Sequence, residues 1–427
     1  MECKVIKNIG LLVGADNDRK LCRKGSEMSE LSCLSQAWMY IEDGLVKAFG
    51  QEREGVPTAT DAQVIDAEGG AVFPSFCDSH THLVYAGSRE GEFVDKIRGL
   101  SYAEIARRGG GILNSADRLH ELSEEELYQQ AMRRIWEIVR KGTGAVEIKS
   151  GYGLNTEDEL KMLRVIRRIK ETAPLKVVST FLGAHAVGRA YAGRQSDYVD
   201  LVVNEMIPEV GRQQLADFVD VFCDEGFFTP EETARILEAG LRYGMRGKIH
   251  GQELADSGGV EVAVKYGAMS VDHLESMTDE DIRLLSAGFF PKKEEKDTPK
   301  WEPPVPTALP GTSFFLNMPF APGRKIIDSG LPLAIASDYN PGSTPSGDMK
   351  FVVSLACIKM RLLPAEAIHA ATLNSAYAMG LSRDYGSLAV GKVANFFITE
   401  PLSSVDYLPY AYTSPLIRRV FLKGKEV

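Results

Sequence analysis

The sequence has no excess of positive charge: its 427 residues carry 49 Lys and Arg against 59 Asp and Glu, a net charge of −10. Phosphate backbones are held by basic faces, so nucleic acid is not an expected partner. A small anionic substrate gripped by one or two arginines remains compatible with that charge. Cysteine is scarce too. The six, at 3, 22, 33, 77, 223 and 357, form no Cys-x-x-Cys pair. Neither a zinc ribbon nor a dithiol redox site is suggested, and the scatter fits reduced thiols in a cytosol. No apolar run reaches the roughly 18 residues that a membrane span needs. The stretch MECKVIKNIGLLVG lacks a basic segment followed by a long apolar one, so no signal peptide and a cytoplasmic location are expected. No Gly-x-Gly-x-x-Gly follows any candidate strand, which weighs against a doubly wound dinucleotide-binding sheet. The Gly109-Gly110-Gly111 run falls in a loop.

What is present is ordinary in bulk. Hydrophobic residues make up 44% and charged residues 25%, enough apolar material for a core of useful size. The pattern along the chain is more informative. Lys4–Leu12, Ser35–Glu42 and Leu45–Phe49 alternate like strands, and Asp43-Gly44 marks a tight hairpin. The far end looks similar, with strand-like stretches in Gly386–Thr399 and Ile417–Leu422. The two ends are expected to pair into one small β-sandwich domain, residues 1–72 with 385–427. Residues 73–384 read differently. Eight strand candidates follow one another: Ala71–Asp78, Gly144–Lys149, Lys176–Gly183, Val219–Cys223, Gly247–Ile249, Ala268–Asp272, Val305–Leu309 and Leu331–Ser337. Amphipathic helical stretches such as Ser123–Lys141, Thr156–Thr172, Thr229–Tyr243 and Thr278–Ser286 lie between them. Strands alternating with helices imply a parallel sheet, and eight such units imply a (β/α)₈ TIM-type barrel. The charged, proline-rich segment 291–304 reads as a solvated loop before the seventh strand.

Chemistry gathers where such a barrel keeps its active site, at the strands' C-terminal ends. The first strand runs into His80-Thr-His82, two imidazoles that point the same way on extended backbone. His185, His250 and His273 directly follow later strands, and Asp338 follows the eighth. Five of the seven histidines therefore converge on one face, while His120 and His369 fall in helical stretches and are assigned to surface or packing. Three imidazoles and one carboxylate, with room for water, would make an open catalytic site for zinc, iron(II) or manganese.

These placements resemble the amidohydrolase superfamily, as does a β-domain built from both chain ends. Binuclear members carry a carboxylated lysine after the fourth strand. Here that strand runs on as Val221-Phe-Cys-Asp-Glu225 and Lys149 follows the second strand, so one ion is expected. Finer motifs are similar to those of the imidazolonepropionase family: His80-Thr-His82-x6-Arg89, Gly109-Gly-Gly-Ile112, Lys149-Ser-Gly-Tyr-Gly-Leu154, Gly183-Ala-His185 and Ser337-Asp-Tyr-Asn-Pro-Gly-Ser343. The likeness spans nearly the whole chain, although the segment 291–304 departs from it. It implies hydrolysis of 4-imidazolone-5-propanoate to N-formimidoyl-L-glutamate, the third step of L-histidine degradation. It also implies one divalent or trivalent ion, zinc or iron, held by His80, His82, His250 and Asp338. Arg89 would grip the propionate carboxylate. Tyr102, Tyr152, His185, Asn340, Gly342 and Ser343 would contact substrate, Glu253 would transfer protons, and His273 would either support the groups around the ion or stabilise the oxyanion. A homodimer is typical of the family. The competing readings are another cyclic amidohydrolase or deaminase of the superfamily, and a non-catalytic assembly protein that has lost metal ligands.

Overall fold

The computed structural model describes residues 2–57, 62–100, 104, 110–289 and 303–427. Its longest helices start where their sequences supply caps. Ser123 and Glu126 form a capping box ahead of the helix Glu124–Arg140, Asn155 caps Thr156–Thr172, and Thr229 with Glu232 caps Pro230–Leu241. In each case a side-chain oxygen accepts a backbone N–H that the helix leaves unpaired. Leu127, Ala131, Ile135 and Ile138 recur at helical spacing and are buried. Each of the larger ones contributes about 1.5–3 kcal/mol by leaving water.

These helices cover a parallel sheet of eight strands: β6 (Phe76–Asp78), β7 (Thr143–Lys149), β8 (Lys176–Ala184), β9 (Phe218–Cys223), β10 (Arg246–Gly251), β11 (Ser270–His273), β12 (Val305–Ala308) and β13 (Ala334–Ile335). Each strand pairs with the next in sequence. The ring is closed between β13 and β6 just beyond the strands. The Asp78 carboxylate accepts the Ser337 N–H (2.9 Å) and hydroxyl (2.5 Å), Asp338 N–H donates to His80 O (3.0 Å), and His82 N–H donates to Tyr339 O (2.9 Å). Burial pushes the Asp78 carboxyl up to about 7 despite those donors.

The chain ends form a second, mixed sheet. Along β16 (Lys425–Glu426), β15 (Ile417–Leu422), β14 (Phe396–Thr399), β5 (Ala71–Pro74), β1 (Cys3–Val13), β2 (Cys33–Glu42) and β3 (Leu45–Gln51), each strand bonds the next, and β4 (Gln63–Asp66) pairs with β1. Ile6, Ile9, Met39, Ile41, Phe396 and Phe421 belong to its separate core. The single run Ala71–Asp78 divides at Ser75, with β5 in this sheet and β6 in the barrel. Tyr102, Gly109 and residues 291–302 lie outside the described residues. Among those described, no helix is long and apolar enough to cross a membrane.

Candidate active site

Three buried imidazoles meet at the strands' C-terminal ends. His80 and His82 follow β6 and His250 lies on β10, and one ligand atom from each falls within 4.8 Å of the others. Asp338, just past β13, brings Oδ1 to 3.7 Å from His80 Nε2 and 3.5 Å from His82 Nε2. Its Oδ2 accepts the Thr312 hydroxyl (2.6 Å) and the Ser343 hydroxyl (3.0 Å), which fixes the carboxylate's orientation. His80 Nδ1 lies 2.7 Å from Asp272 Oδ2. A carboxylate there favours the hydrogen on Nδ1 and leaves Nε2 with a lone pair. His80 Nε2 and His250 Nε2 are buried without a hydrogen-bond partner. Orphaned buried nitrogens are costly unless something coordinates them. Burial, then the neighbouring positive groups, holds His80 and His82 well below the usual histidine range, in the neutral form that a ligand must have. The donor set therefore fits a cation.

Beneath this cluster, inside the barrel, lies a charged layer that the motifs do not announce. Lys149 Nζ sits 2.6 Å from Glu147 Oε1 and 2.7 Å from Asp220 Oδ2, all fully buried. Lys248 Nζ pairs with the other Glu147 oxygen and donates to Ser79 O at 3.1 Å. Asp220 Oδ2 also lies 3.1 Å from His250 Nδ1. Burial opposes the charge on Lys149, but Asp220, Glu147 and Asp272 outweigh it and hold the ammonium above its usual range. The layer is a scaffold, since its members support His80 and His250 from below. Removing one partner of such a network strands the others' charge. Lys149→Met should therefore cost about 3–5 kcal/mol of stability. Denaturant unfolding checks this, and a loss under about 1 kcal/mol would remove the layer from the account of the fold.

Other expected residues line the same cavity of about 580 Å³, among them Arg89, Tyr152, His185, Glu253, His273 and Asn340. His185 Nδ1 lies 2.9 Å from Gly151 O. A carbonyl can only accept, so Nδ1 carries the hydrogen and Nε2 is an acceptor. Burial pushes His185 down to about 3 and keeps it neutral. Tyr152, also buried, places its ring 5.4 Å from that of His185. Gly151 has φ of +108°, and a Cβ there would come within 2.9 Å of His185 Nδ1. His273 ends β11 at φ of +87°, an uncommon conformation for a residue with a side chain. Its Nε2 lies 3.6 Å from Glu253 and its Nδ1 3.6 Å from Glu275. Burial opposes the charge on His273, yet the two carboxylates outweigh it and hold the imidazolium well above its usual range. Burial likewise pushes the Glu253 carboxyl up, against the pull of His273.

At the cavity's other residues the geometry adds detail. Arg89 precedes the helix Glu90–Ile97 and gives Nε and Nη2 to Glu92 Oε2 at 3.0 and 2.9 Å. Glu92 Oε1 accepts the Gly111 N–H at 3.0 Å, which ties the glycine-rich loop to Arg89. Gly342, expected among the substrate contacts, lies against the Arg89 guanidinium, which a Cβ there would meet at 2.5 Å. Asn340 Oδ1 accepts the N–H groups of Gly342 and Ser343, both at 2.8 Å, so this loop is braced from within. His120 and His369 stand apart. The first is exposed and pairs with Asp158, and the second is buried with Nδ1 2.8 Å from Met28 O. Sequence reasoning missed Asp272, Glu92 and the charged layer. The available signal was charge at alternate positions of otherwise apolar strands, as in Glu147-Ile-Lys149 and Asp220.

Comparison with known proteins agrees with this geometry. Residues 71–427 match the Amidohydrolase family. The chain is 49% identical to the imidazolonepropionase of Flavobacterium johnsoniae over 421 residues, 99% of each protein. It is 50% identical to that of Christiangramia forsetii over 421 residues, again 99% of each. With the imidazolonepropionase of Geobacillus kaustophilus it shares 44% over 376 residues, 87% of this chain and 85% of the relative. Solved structures share the fold at lower identity. E. coli guanine deaminase superposes with a TM-score of 0.73 at 15% identity, covering 100% of this chain and 99% of its own. The 5-methylcytosine deaminase of Klebsiella pneumoniae gives 0.70 at 17%, covering 98% and 97%. With half its sequence shared along almost the whole length, and histidines and Asp338 gathered at the mouth of the barrel, this chain belongs to the amidohydrolase family and, within it, to the imidazolonepropionases.

Proposed function

We propose that this chain hydrolyses the cyclic amide bond of 4-imidazolone-5-propanoate to give N-formimidoyl-L-glutamate, the third step of L-histidine degradation. The observation that carries the reading is one cavity holding both a buried cluster of orphaned imidazole nitrogens beside Asp338 and a guanidinium, Arg89, suited to a carboxylate. His80, His82, His250 and Asp338 would hold one divalent or trivalent ion, zinc or iron. When bound, it would polarise the ring carbonyl and make water a nucleophile near neutral pH.

The chain's own groups do the rest. Glu253 takes the proton of the attacking water and later hands it to the departing ring nitrogen. His273, charged between Glu253 and Glu275, faces the oxygen on which negative charge develops. His185 offers Nε2 as an acceptor to a ring N–H, and Tyr152 walls the ring. Asn340, Gly342 and Ser343 contact the substrate's carboxylate end, and Tyr102 completes the contacts. The division into 1–72, 73–384 and 385–427, a homodimer, a cytoplasmic location and the lack of a nucleic-acid partner belong to the same reading.

Product identification with synthetic 4-imidazolone-5-propanoate, on protein of measured metal content, tests it. A metal-loaded protein that leaves this compound intact would overturn it. The carboxylate grip has its own test. Arg89→Met should lose roughly 2–5 kcal/mol of substrate binding, because a charge-assisted contact disappears. The loss should shrink with an imidazolone lacking the carboxylate. Equal losses for both compounds would make Arg89 structural.

A further inference from the structure

Arg89 does not face the cavity as a free cation. Glu92 neutralises it through two contacts, with both side chains largely buried. A substrate carboxylate meeting that pair alone would meet no net charge and would have to compete with Glu92. One turn further along the helix Glu90–Ile97, Lys96 also lines the cavity. Arg89, Glu92 and Lys96 stand at i, i+3 and i+7, so they share a helix face. Lys96 is half-buried among apolar neighbours: its Nζ lies 5.8 Å from the centre of the Phe315 ring, and Phe315 stacks on Phe93 at 5.3 Å. Among the described residues its ammonium donates to a neutral acceptor, Gly342 O, at 3.1 Å. Among the described residues no carboxylate lies within ion-pair distance of it. Burial and the nearby Arg89 both disfavour its charge, with Glu92 only partly opposing them. An ammonium in such a place gains when an anion arrives.

Gly342 links the two cations. Its carbonyl accepts Lys96, while its Cα lies against the Arg89 guanidinium. The nitrogens therefore flank one point of the cavity wall, joined through Asn340 and Ser343 to the carboxylate of Asp338. We propose that Lys96 is a further substrate-binding residue, whose ammonium joins Arg89 around the substrate carboxylate and supplies the net positive charge that the Arg89–Glu92 pair lacks. The proposal rests on the function given above. It assigns Glu92 the role of holding Arg89 in place and Lys96 that of selecting an anionic side arm.

The test uses metal-loaded Lys96→Met and Lys96→Arg with 4-imidazolone-5-propanoate and with an imidazolone lacking the carboxylate. Lys96→Met keeps most of the apolar stem and removes the charge. Its KM for the propanoate should rise about 10–100-fold, the worth of one hydrogen bond to a charged group, with kcat changing far less. Its KM for the uncharged analogue should move less than about 3-fold, and Lys96→Arg should recover most of the loss. An unchanged KM for the propanoate in Lys96→Met, or an equal rise for both compounds, overturns the proposal while leaving the function standing. If the parent protein turns over neither compound, the function and this inference fall together. Should Lys96→Met not fold, Lys96→Arg carries the test: a KM near the parent's supports the charge, and one raised equally for both compounds overturns it.

Discussion

Glu253→Gln should turn over substrate about 10²–10⁴-fold more slowly than the parent, the usual worth of a positioned acid–base group. Glutamine keeps the size and polarity of the side chain and cannot carry the proton. Metal content and melting temperature should stay at parental values, because the carboxylate is not among the four groups gathered for the ion. A rival role for Glu253 would be capping of a helix, but no helix begins beside it. Asp224 accepts the N–H groups of Glu253, Leu254 and Ala255 at 2.8, 3.0 and 3.2 Å. The next helix, Gly259–Lys265, starts beyond Gly258. The Glu253 side chain instead faces His273 and the cavity. The pH profile adds a second readout. As a base Glu253 works deprotonated, so activity is present above its pKa and lost as pH falls through it. Burial raises that pKa, so the acid limb of kcat/KM should lie above the ordinary value of about 4.3. Glu253→Gln should erase the limb. A rate within a few-fold of the parent, with metal retained, would take Glu253 out of the mechanism and leave His273 as the next candidate.

Asp338→Ala should purify folded and metal-poor, with turnover falling in proportion to the metal lost. Loss of a residue that merely orients a ligand costs roughly 10–100-fold in affinity, and a direct ligand should cost more. The remaining imidazoles bring no negative charge of their own, so they cannot replace the lost carboxylate next to a cation. Two hydroxyls, those of Thr312 and Ser343, lose their acceptor at the same time. The loop at 340–344 should therefore loosen as well. Measuring bound metal after dialysis, and the gain in melting temperature on adding metal to parent and variant, checks the claim. A full complement with normal turnover would sink the assignment of Asp338.

Much of this was readable in the sequence, for physical reasons that differ by element. Helices such as Thr156–Thr172 declare both ends, because caps are local chemistry and the apolar stripe repeats at their own period. The histidines were readable because each stands directly after a strand-like run, and a parallel barrel puts those positions together. Where partners are distant the sequence is silent. Ala71–Asp78 reads as one strand, since period alone cannot tell that Ala71–Pro74 bonds to the C-terminal strand Phe396–Thr399 while Phe76–Asp78 bonds to the barrel. Leu331–Ser337 shrinks to Ala334–Ile335 because its apolar residues are buried by packing beyond the two that make ladder bonds. Asp272 was hidden beside a better-known neighbour: adjacent residues on a strand point to opposite faces, and only the fold shows Asp272 under His80. Glu92 was readable as i+3 from Arg89, yet its meaning depends on the Gly111 N–H that fixes its other oxygen.

The closure of the barrel also bears on when the enzyme becomes competent. The residues that seal the ring, Asp78 and Ser337, are 259 positions apart in the chain. A ribosome delivers His80 and His82 early, His250 much later and Asp338 later still. An emerging chain therefore carries its imidazoles for a long interval without Asp338 beside them and with one side of the barrel unsealed. The small sheet waits as well, because β5 bonds β14, near the far end of the chain. Competence therefore comes all at once and late. A message cut short before residue 334 yields a protein with most of its mass and the three histidines but without Asp338, and quality control meets an open barrel edge rather than a weak hydrolase.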